Sequence, residues 1–381
     1  MKQIKRLIAG ILTVQLLLGA AGFTSSAVSE DEISQKYNST AAYLQTLPAP
    51  SVGSIGGDWL AFGLARSGCF GTEAQNDYIQ NVESYVKGIG SAKLHRNKST
   101  ENSRVIVALA ANGVDARNVA GYDLTAPLLD ASYVGKQGVN GVIWALLALD
   151  SYSYPVPAGT RERLITTILS AQQSNGGWGL DERIATPDVT SMAIQALAPY
   201  RYYDSDIQQA IDNALDWLVS VQTESGGYYS YDEFNPESCA QVIVALTALN
   251  IHPQTDSRFN QSGKSVIDSL LDFSVANGFE HTKGNGYNQM STEQAYYALT
   301  AYYRFFNRQT SLYDMTDICS KAVLDYDGDG AESIKDVTYL QRYLAEFHHD
   351  FTTPQQRLAD LNKNRKIDVG DVTLYQRLLA R

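Results

Sequence analysis

Between residues 40 and 308 one kind of segment returns six times, and this recurrence limits the possible folds more than any other feature of the chain. Each copy has a polar or Gly/Pro-marked turn, then an acid or amide, then a run of Ala with large aliphatic side chains. The copies begin at Asp58, Glu101, Asn140, Asp188, Glu237 and Glu293. They lead into Trp59 to Phe62, Arg104 to Leu109, Val142 to Leu149, Met192 to Leu197, Val242 to Leu246 and Tyr296 to Leu299. Successive copies lie about 40 to 55 residues apart, enough for one helical hairpin each. The runs are apolar on almost every face, which at helical length means burial on all sides. Between them run amphipathic stretches such as 161–173 and 207–222, with Leu164, Ile165, Ile168 and Leu169, and Ile211, Leu215, Trp217 and Leu218, at helical spacing. Six buried helices ringed by six amphipathic ones make an all-α, α6/α6 toroid.

The start signals agree. Thr186-Pro187-Asp188 and Asn235-Pro236-Glu237 each place a capping residue, then Pro at the first helical position, then an acid facing the helix dipole. Ahead of them stand Gln172 to Trp178 and Gln222 to Tyr228, each a glutamine, a Gly-Gly turn and an aromatic. Glycine permits the reversal, and the aromatic packs back over it.

These repeats resemble the prenyltransferase and squalene-cyclase superfamily over residues 28–308. The resemblance implies an α/α toroid with a central cavity. The chemistry of that superfamily is not carried with it: no Asp-x-Asp-Asp acid is present, and Cys239 near Glu237 and His281 lacks the partnering acid of a zinc thiolate site. A lone Cys beside a helix is commonly a small buried hydrophobe. Cys69 has no downstream Glu-Gln with which to form a thioester.

If the inner helices run parallel, Asp58, Glu101, Asn140, Asp188, Glu237 and Glu293 ring one mouth. Trp59, Trp144, Tyr228, Tyr231, Tyr296 and Tyr297 are then candidate aromatic walls of a ligand cavity. Acids at helix starts also cap and complement dipoles, which by itself accounts for the spacing. Asp188, Glu237 and Glu293 are the candidate catalytic acids, because two carboxylates facing across a cleft can cleave a glycosidic bond. His95, His252, His281, His348 and His349 show no ligand spacing and read as surface residues.

The C-terminal stretch repeats itself. Asp325, Asp327, Asp329, the carbonyl of Ala331, Ser333 and Asp336 occupy positions 1, 3, 5, 7, 9 and 12 of an EF-hand-type calcium loop, with Gly330 at position 6. Asp360, Asn362, Asn364, the carbonyl of Lys366, Asp368 and Asp371 repeat the pattern, and 336–345 matches 371–380 as a following helix. The residues before Asp325 and Asp360 read as too short or irregular for an entering helix.

This loop-helix duplication resembles the type I dockerin of cellulosomes. The resemblance implies two bound calcium ions and docking to a cohesin domain through Ile334, Lys335, Arg342, Val369, Gly370 and Arg377. The chain departs from the family at Glu332, Gln341 and Gln376, and at Arg365, which stands where Gly is usual in the second loop.

The remaining numbers bound the setting. Lys2, Lys5 and Arg6 precede an apolar run and small residues at Ser25 to Ala27, the pattern of a leader spanning 1–27 and hence of a secreted protein. The formal charge of −11 disfavours nucleic acid and anionic membrane as partners. Three cysteines do not make a disulfide framework. The expected domains are therefore the leader 1–27, the toroid 28–308, and a short joint with the dockerin-like module at 309–381.

Overall fold

The computed structural model describes residues 27–181, 183–260, 262–318, 324, 326, 332–347 and 351–380. The expected leader lies outside the described residues except for Ala27, as do Asp325, Asp327, Asp329 and Ala331 of the first loop.

Within 28–308 the helices alternate between an outer and an inner layer. The outer helices are α1 (Glu30–Leu44), α3 (Thr72–Ile89), α5 (Ala131–Val134), α7 (Thr160–Ser170), α9 (Ser205–Val221) and α11 (Val266–Leu271). The inner helices are α2 (Trp59–Ser67), α4 (Ser99–Ala111), α6 (Gly138–Ser151), α8 (Pro187–Leu197), α10 (Pro236–Ala248) and α12 (Gln289–Phe306). Each inner helix packs on the next, and α12 returns to α2, so the ring closes. The chain is an α/α toroid. Burial follows the sequence pattern. In α4 every residue from Asn102 to Ala111 is buried, whereas α3 buries only Tyr78, Val82 and Val86, one stripe at i, i+4 and i+8.

The Gln-Gly-Gly-aromatic turns join an outer helix to the next inner one. Gln172 Nε2 donates to Gly176 O at 2.8 Å and to Ala210 O of α9 at 2.8 Å, and Gln222 Nε2 repeats this with Gly226 O and Phe259 O at 2.9 and 3.1 Å. One amide thus clamps its own turn and the following outer layer. Gly226 has φ +84°, and a Cβ there would lie 2.2 Å from Ser265 O, so no other residue fits. Asn235 accepts from Ser238 N–H at 2.9 Å as an N-cap, whereas Thr186 makes no capping bond and its buried hydroxyl has no protein partner.

Two short hairpins precede the last inner helices: β1 (Tyr229–Ser230) with β2 (Glu233–Phe234), and β3 (Ser274–Val275) with β4 (Gly278–Phe279). After α12 the chain crosses the C-terminal pole of the ring. Asp317 pairs with Arg66 and Arg304 at 3.0 and 2.6 Å, and Met315 N–H donates to Ser151 O at 3.0 Å. This crossing drives Tyr313 into the axis, stacked on Phe62 at 5.2 Å.

The C-terminal residues form α13 (Ile334–Leu344), α14 (Thr353–Ala359) and α15 (Val369–Leu379) around a separate core that includes Leu324, Tyr326, Leu340, Phe351 and Tyr375. An entering helix, not expected from the sequence, does precede the second loop. The α14 helix starts at a Thr352–Gln355 capping box with Pro354 in its first turn, which stabilises a helix too short to be read from periodicity. The module rests against the toroid. Arg357 pairs with Asp150 at 3.3 Å, and Asp150 also accepts from Arg161 at 2.7 Å and Tyr200 at 2.5 Å. Among the described residues no helix is long and apolar enough to cross a membrane.

Candidate functional site

At the N-terminal pole lies a cavity of about 340 Å³, walled by Thr100 and Arg104 of α4, Asn140 and Trp144 of α6, Asp188 and Met192 of α8, Glu237 and Gln241 of α10, Gln294 and Tyr297 of α12, and Trp59 of α2. Five inner helices offer first-turn residues to one space and α12 offers its second and third turns, so their N-terminal halves share this pole. The floor is aromatic. Trp59 lies 5.1 Å from Trp144 and 6.0 Å from Tyr297, and Tyr313 meets Trp144 from below at 5.9 Å.

The wall positions explain which of the six ring residues reach the cavity. On α4, α6, α8 and α10 the facing pairs are 100/104, 140/144, 188/192 and 237/241, each four residues apart. Asn140, Asp188 and Glu237 fall on this face. Glu101, Asp58 and Glu293 each stand one residue away from a wall residue, and one residue turns a helical side chain by roughly 100°.

Asp58 is fully buried and accepts from Tyr78 Oη at 2.7 Å and Arg104 Nε at 2.8 Å. Burial raises its pKa, and the Arg104 charge opposes this. Glu101 takes the other end of the same guanidinium at 2.6 Å. Glu293, 2% exposed, accepts from Gly56 N–H at 2.8 Å and Gln289 Nε2 at 2.6 Å, which ties down the 53–58 loop. Burial pushes its pKa up to about 7.

Three proposed wall aromatics are elsewhere. Tyr228 is fully buried behind its Gly-Gly turn, and Tyr296 stacks on Tyr37 at 5.2 Å and donates to Ser67 at 2.8 Å, on the outer side of α12. Tyr231 is 55% exposed at the hairpin tip.

Sequence reasoning missed Arg104, Gln241 and Gln294. The signal was present, since Arg104 stands at the head of an otherwise apolar run, three residues after Glu101. It also misplaced His281. This ring is half-buried, with Nδ1 at 2.9 Å from Glu237 and Nε2 at 3.1 Å from Glu233, and Ser291 adds a short hydrogen bond to Glu237. The hairpin, α10 and the 280–287 loop converge there. His252 is likewise packed among Tyr302, Phe305 and Phe306. Cys239 is fully buried, with its thiol pushed up to about 12 by burial. It occupies the place in α10 where α8 has Thr190 behind the preceding turn.

In the C-terminal module the acid at loop position 12 accepts from the N–H of position 9 in both halves, and from that of position 2 in the first half and position 3 in the second. Asp336 accepts from Tyr326 N–H and Ser333 N–H at 2.7 and 2.8 Å; Asp371 accepts from Asn362 N–H and Asp368 N–H at 3.0 and 2.8 Å. In the second loop Asp360 accepts from Asn364 N–H at 3.0 Å and Arg365 N–H at 2.7 Å, and Asn364 Oδ1 accepts from Lys366 N–H at 2.8 Å. Arg365 takes the left-handed conformation, φ +70°, that Gly usually provides. The donor chemistry is all hard oxygen, which suits calcium. Among the described residues no three His, Cys, Asp or Glu side chains are grouped closely enough to hold a metal ion, the second loop's Asp360, Asp368 and Asp371 included, and the first loop's leading acids lie outside the described residues. Ile334, Lys335, Arg342, Val369, Gly370 and Arg377 are all exposed.

No protein-family model matches the chain, and no curated protein matches it. Solved structures do. A type II terpene cyclase from Scytonema superimposes with a TM-score of 0.48 at 13% identity, over 72% of this chain and 99% of the other. An unsaturated glucuronyl hydrolase from Bacillus sp. GL1, responsible for the degradation of glycosaminoglycan, superimposes with a TM-score of 0.47 at 12% identity, over 75% and 99%. At such low identity and superposition neither likeness bears on activity, and the toroid assignment rests on the closed ring itself.

Proposed function

We propose that this is a secreted modular protein whose C-terminal dockerin-like module binds two calcium ions and docks to a cohesin domain of a cellulosome-type scaffold, bringing the toroid cavity to that assembly. The observation that carries this reading is the matched hydrogen bonding of Asp336 and Asp371, with an exposed Ile334 and Val369 at the same point of each half. The ions would be held by Asp325, Asp327, Asp329, Ala331, Ser333 and Asp336, and by Asp360, Asn362, Asn364, Lys366, Asp368 and Asp371. Bound calcium would neutralise these acids and lock each loop to its following helix. The exposed Ile334, Val369 and their Arg neighbours supply an apolar centre with a basic rim for the partner. The test is cohesin binding by the full chain in calcium and in chelator, with Asp336→Ala plus Asp371→Ala as the paired variant. Binding is expected to vanish in chelator and in the variant; undiminished binding in both overturns the proposal.

A second reading concerns the toroid. Asp188 and Glu237 sit on adjacent helices and face one cavity floored by indoles, which supports a carbohydrate-active enzyme, a hydrolase or lyase of polysaccharide, over a passive scaffold piece. Wild-type turnover on a polysaccharide panel, lost in Asp188→Asn and Glu237→Gln, is expected. Absence of wild-type turnover on every member sinks it.

A further inference from the structure

The cavity wall holds one base and spends it. Arg104 is the only basic residue lining the cavity among the described residues, and its guanidinium is held at both ends, by Asp58 at 2.8 Å and Glu101 at 2.6 Å. Two carboxylates on one cation leave the trio net negative, and Asp188 and Glu237 add further acid to the same space. An acidic ligand therefore meets no available counter-ion in a partly desolvated site, where unpaired charge is most costly. An isoprenoid chain fares no better, because it would displace water from the carboxylates of Asp188 and Glu237 and offer no hydrogen bond in its place, leaving Asp188, among the described residues, with Ser230 alone and Glu237 with His281 and Ser291. The remaining chemistry is a ring with an apolar face for Trp59 and Trp144 and hydroxyls for the acids and amides. A protonated amine gains further from the carboxylates and the indole faces.

We propose that the cavity takes an uncharged or ammonium-bearing sugar unit and rejects uronic acids, and that Glu101, by holding Arg104, sets this charge preference. The inference rests on the carbohydrate reading of the toroid and deepens it. Glu101 does not line the cavity, so it acts through the guanidinium and not by touching the sugar. Removing its charge frees one end of Arg104, three residues further along the same helix, to face a ligand carboxylate.

The experiment is calorimetric titration of the full chain with cello-oligosaccharides, fully deacetylated chito-oligosaccharides and oligogalacturonides of equal length. Wild type is expected to bind the first two and to bind galacturonides at least about tenfold more weakly. Glu101→Gln should narrow that gap by about tenfold or more while leaving the affinity for cello-oligosaccharides within about twofold, and its thermal melt should confirm folding. Equal affinity for all three classes, or an unchanged gap in a folded Glu101→Gln variant, overturns the charge-preference inference while the carbohydrate reading stands. No binding of any sugar by wild type overturns both.

Discussion

In the toroid, α6 buries every side chain from Gly141 to Ser151, whereas α13 of the C-terminal module buries Asp336, Val337 and Leu340, and α15 buries Asp371, Val372 and Tyr375. The first is held by apolar area closing on itself. In the second an acid is turned inward from each helix, and the backbone folds around it. A unit of about 60 residues buries too little surface to be secure alone and needs a staple. Here the candidates are the loop cations and the contact with the toroid through Arg357, Lys363 and Tyr203. Tyr203 donates to Asp360, a loop acid, at 2.7 Å. Insensitivity to ions is therefore expected of the toroid and dependence on neighbours of the module.

The largest expected effect falls on the toroid alone. Gly226→Ala forces a Cβ to 2.2 Å from Ser265 O at φ +84° and should cost about 3–4 kcal/mol. A calorimetric scan should show the main transition lower by roughly 10 °C. A shift under about 2 °C would mean that the ring absorbs backbone strain as a module would.

Next comes pH. Glu293 titrates near 7 in the folded protein against an ordinary value of 4.5, because it is buried. The folded state thus binds the extra proton, so this contribution is full below about pH 4.5 and is lost as pH rises to about 7. It amounts to about 3 kcal/mol at most. Denaturant unfolding of Glu293→Gln should lack that fall in stability; a parallel pH profile in variant and wild type would refute the assignment.

The smallest effect tests the joint. Arg357→Met should loosen the module while Asp150 keeps Arg161 and Tyr200, at about 1–2 kcal/mol. Hydrogen exchange should rise in α14 and the second loop and not in the inner ring. Protection lost throughout the toroid would show that the two regions fold as one.

Much of this was legible in advance. The six runs, the two Gly-Gly turns and the duplicated loops are local patterns, and local patterns survive in a single sequence because periodicity and turn chemistry act over a few residues. Asn140, Asp188 and Glu237 were found because capping puts an acid or amide at the first turn, and their face happened to be the axial one. Asp58, Glu101 and Glu293 carry the same signal but are rotated off it. A helix start does not specify its own roll about the axis, so Tyr296 and Tyr297 could not be told apart until α12 was seated between α10 and α2.

The amino-acid sequence by itself determined the all-α repeat, the inner and outer layers and the calcium-type loop pattern, since burial periodicity and loop spacing are written along the chain. Only the tertiary structure decided that Arg104 is spent on Asp58 and Glu101, that His281 bridges Glu233 and Glu237, and that Tyr313 closes the far pole. Apart from the Arg104–Glu101 pair within α4, each of these joins residues from different repeats or from beyond them, and such contacts are made by ring closure and not by neighbours in sequence.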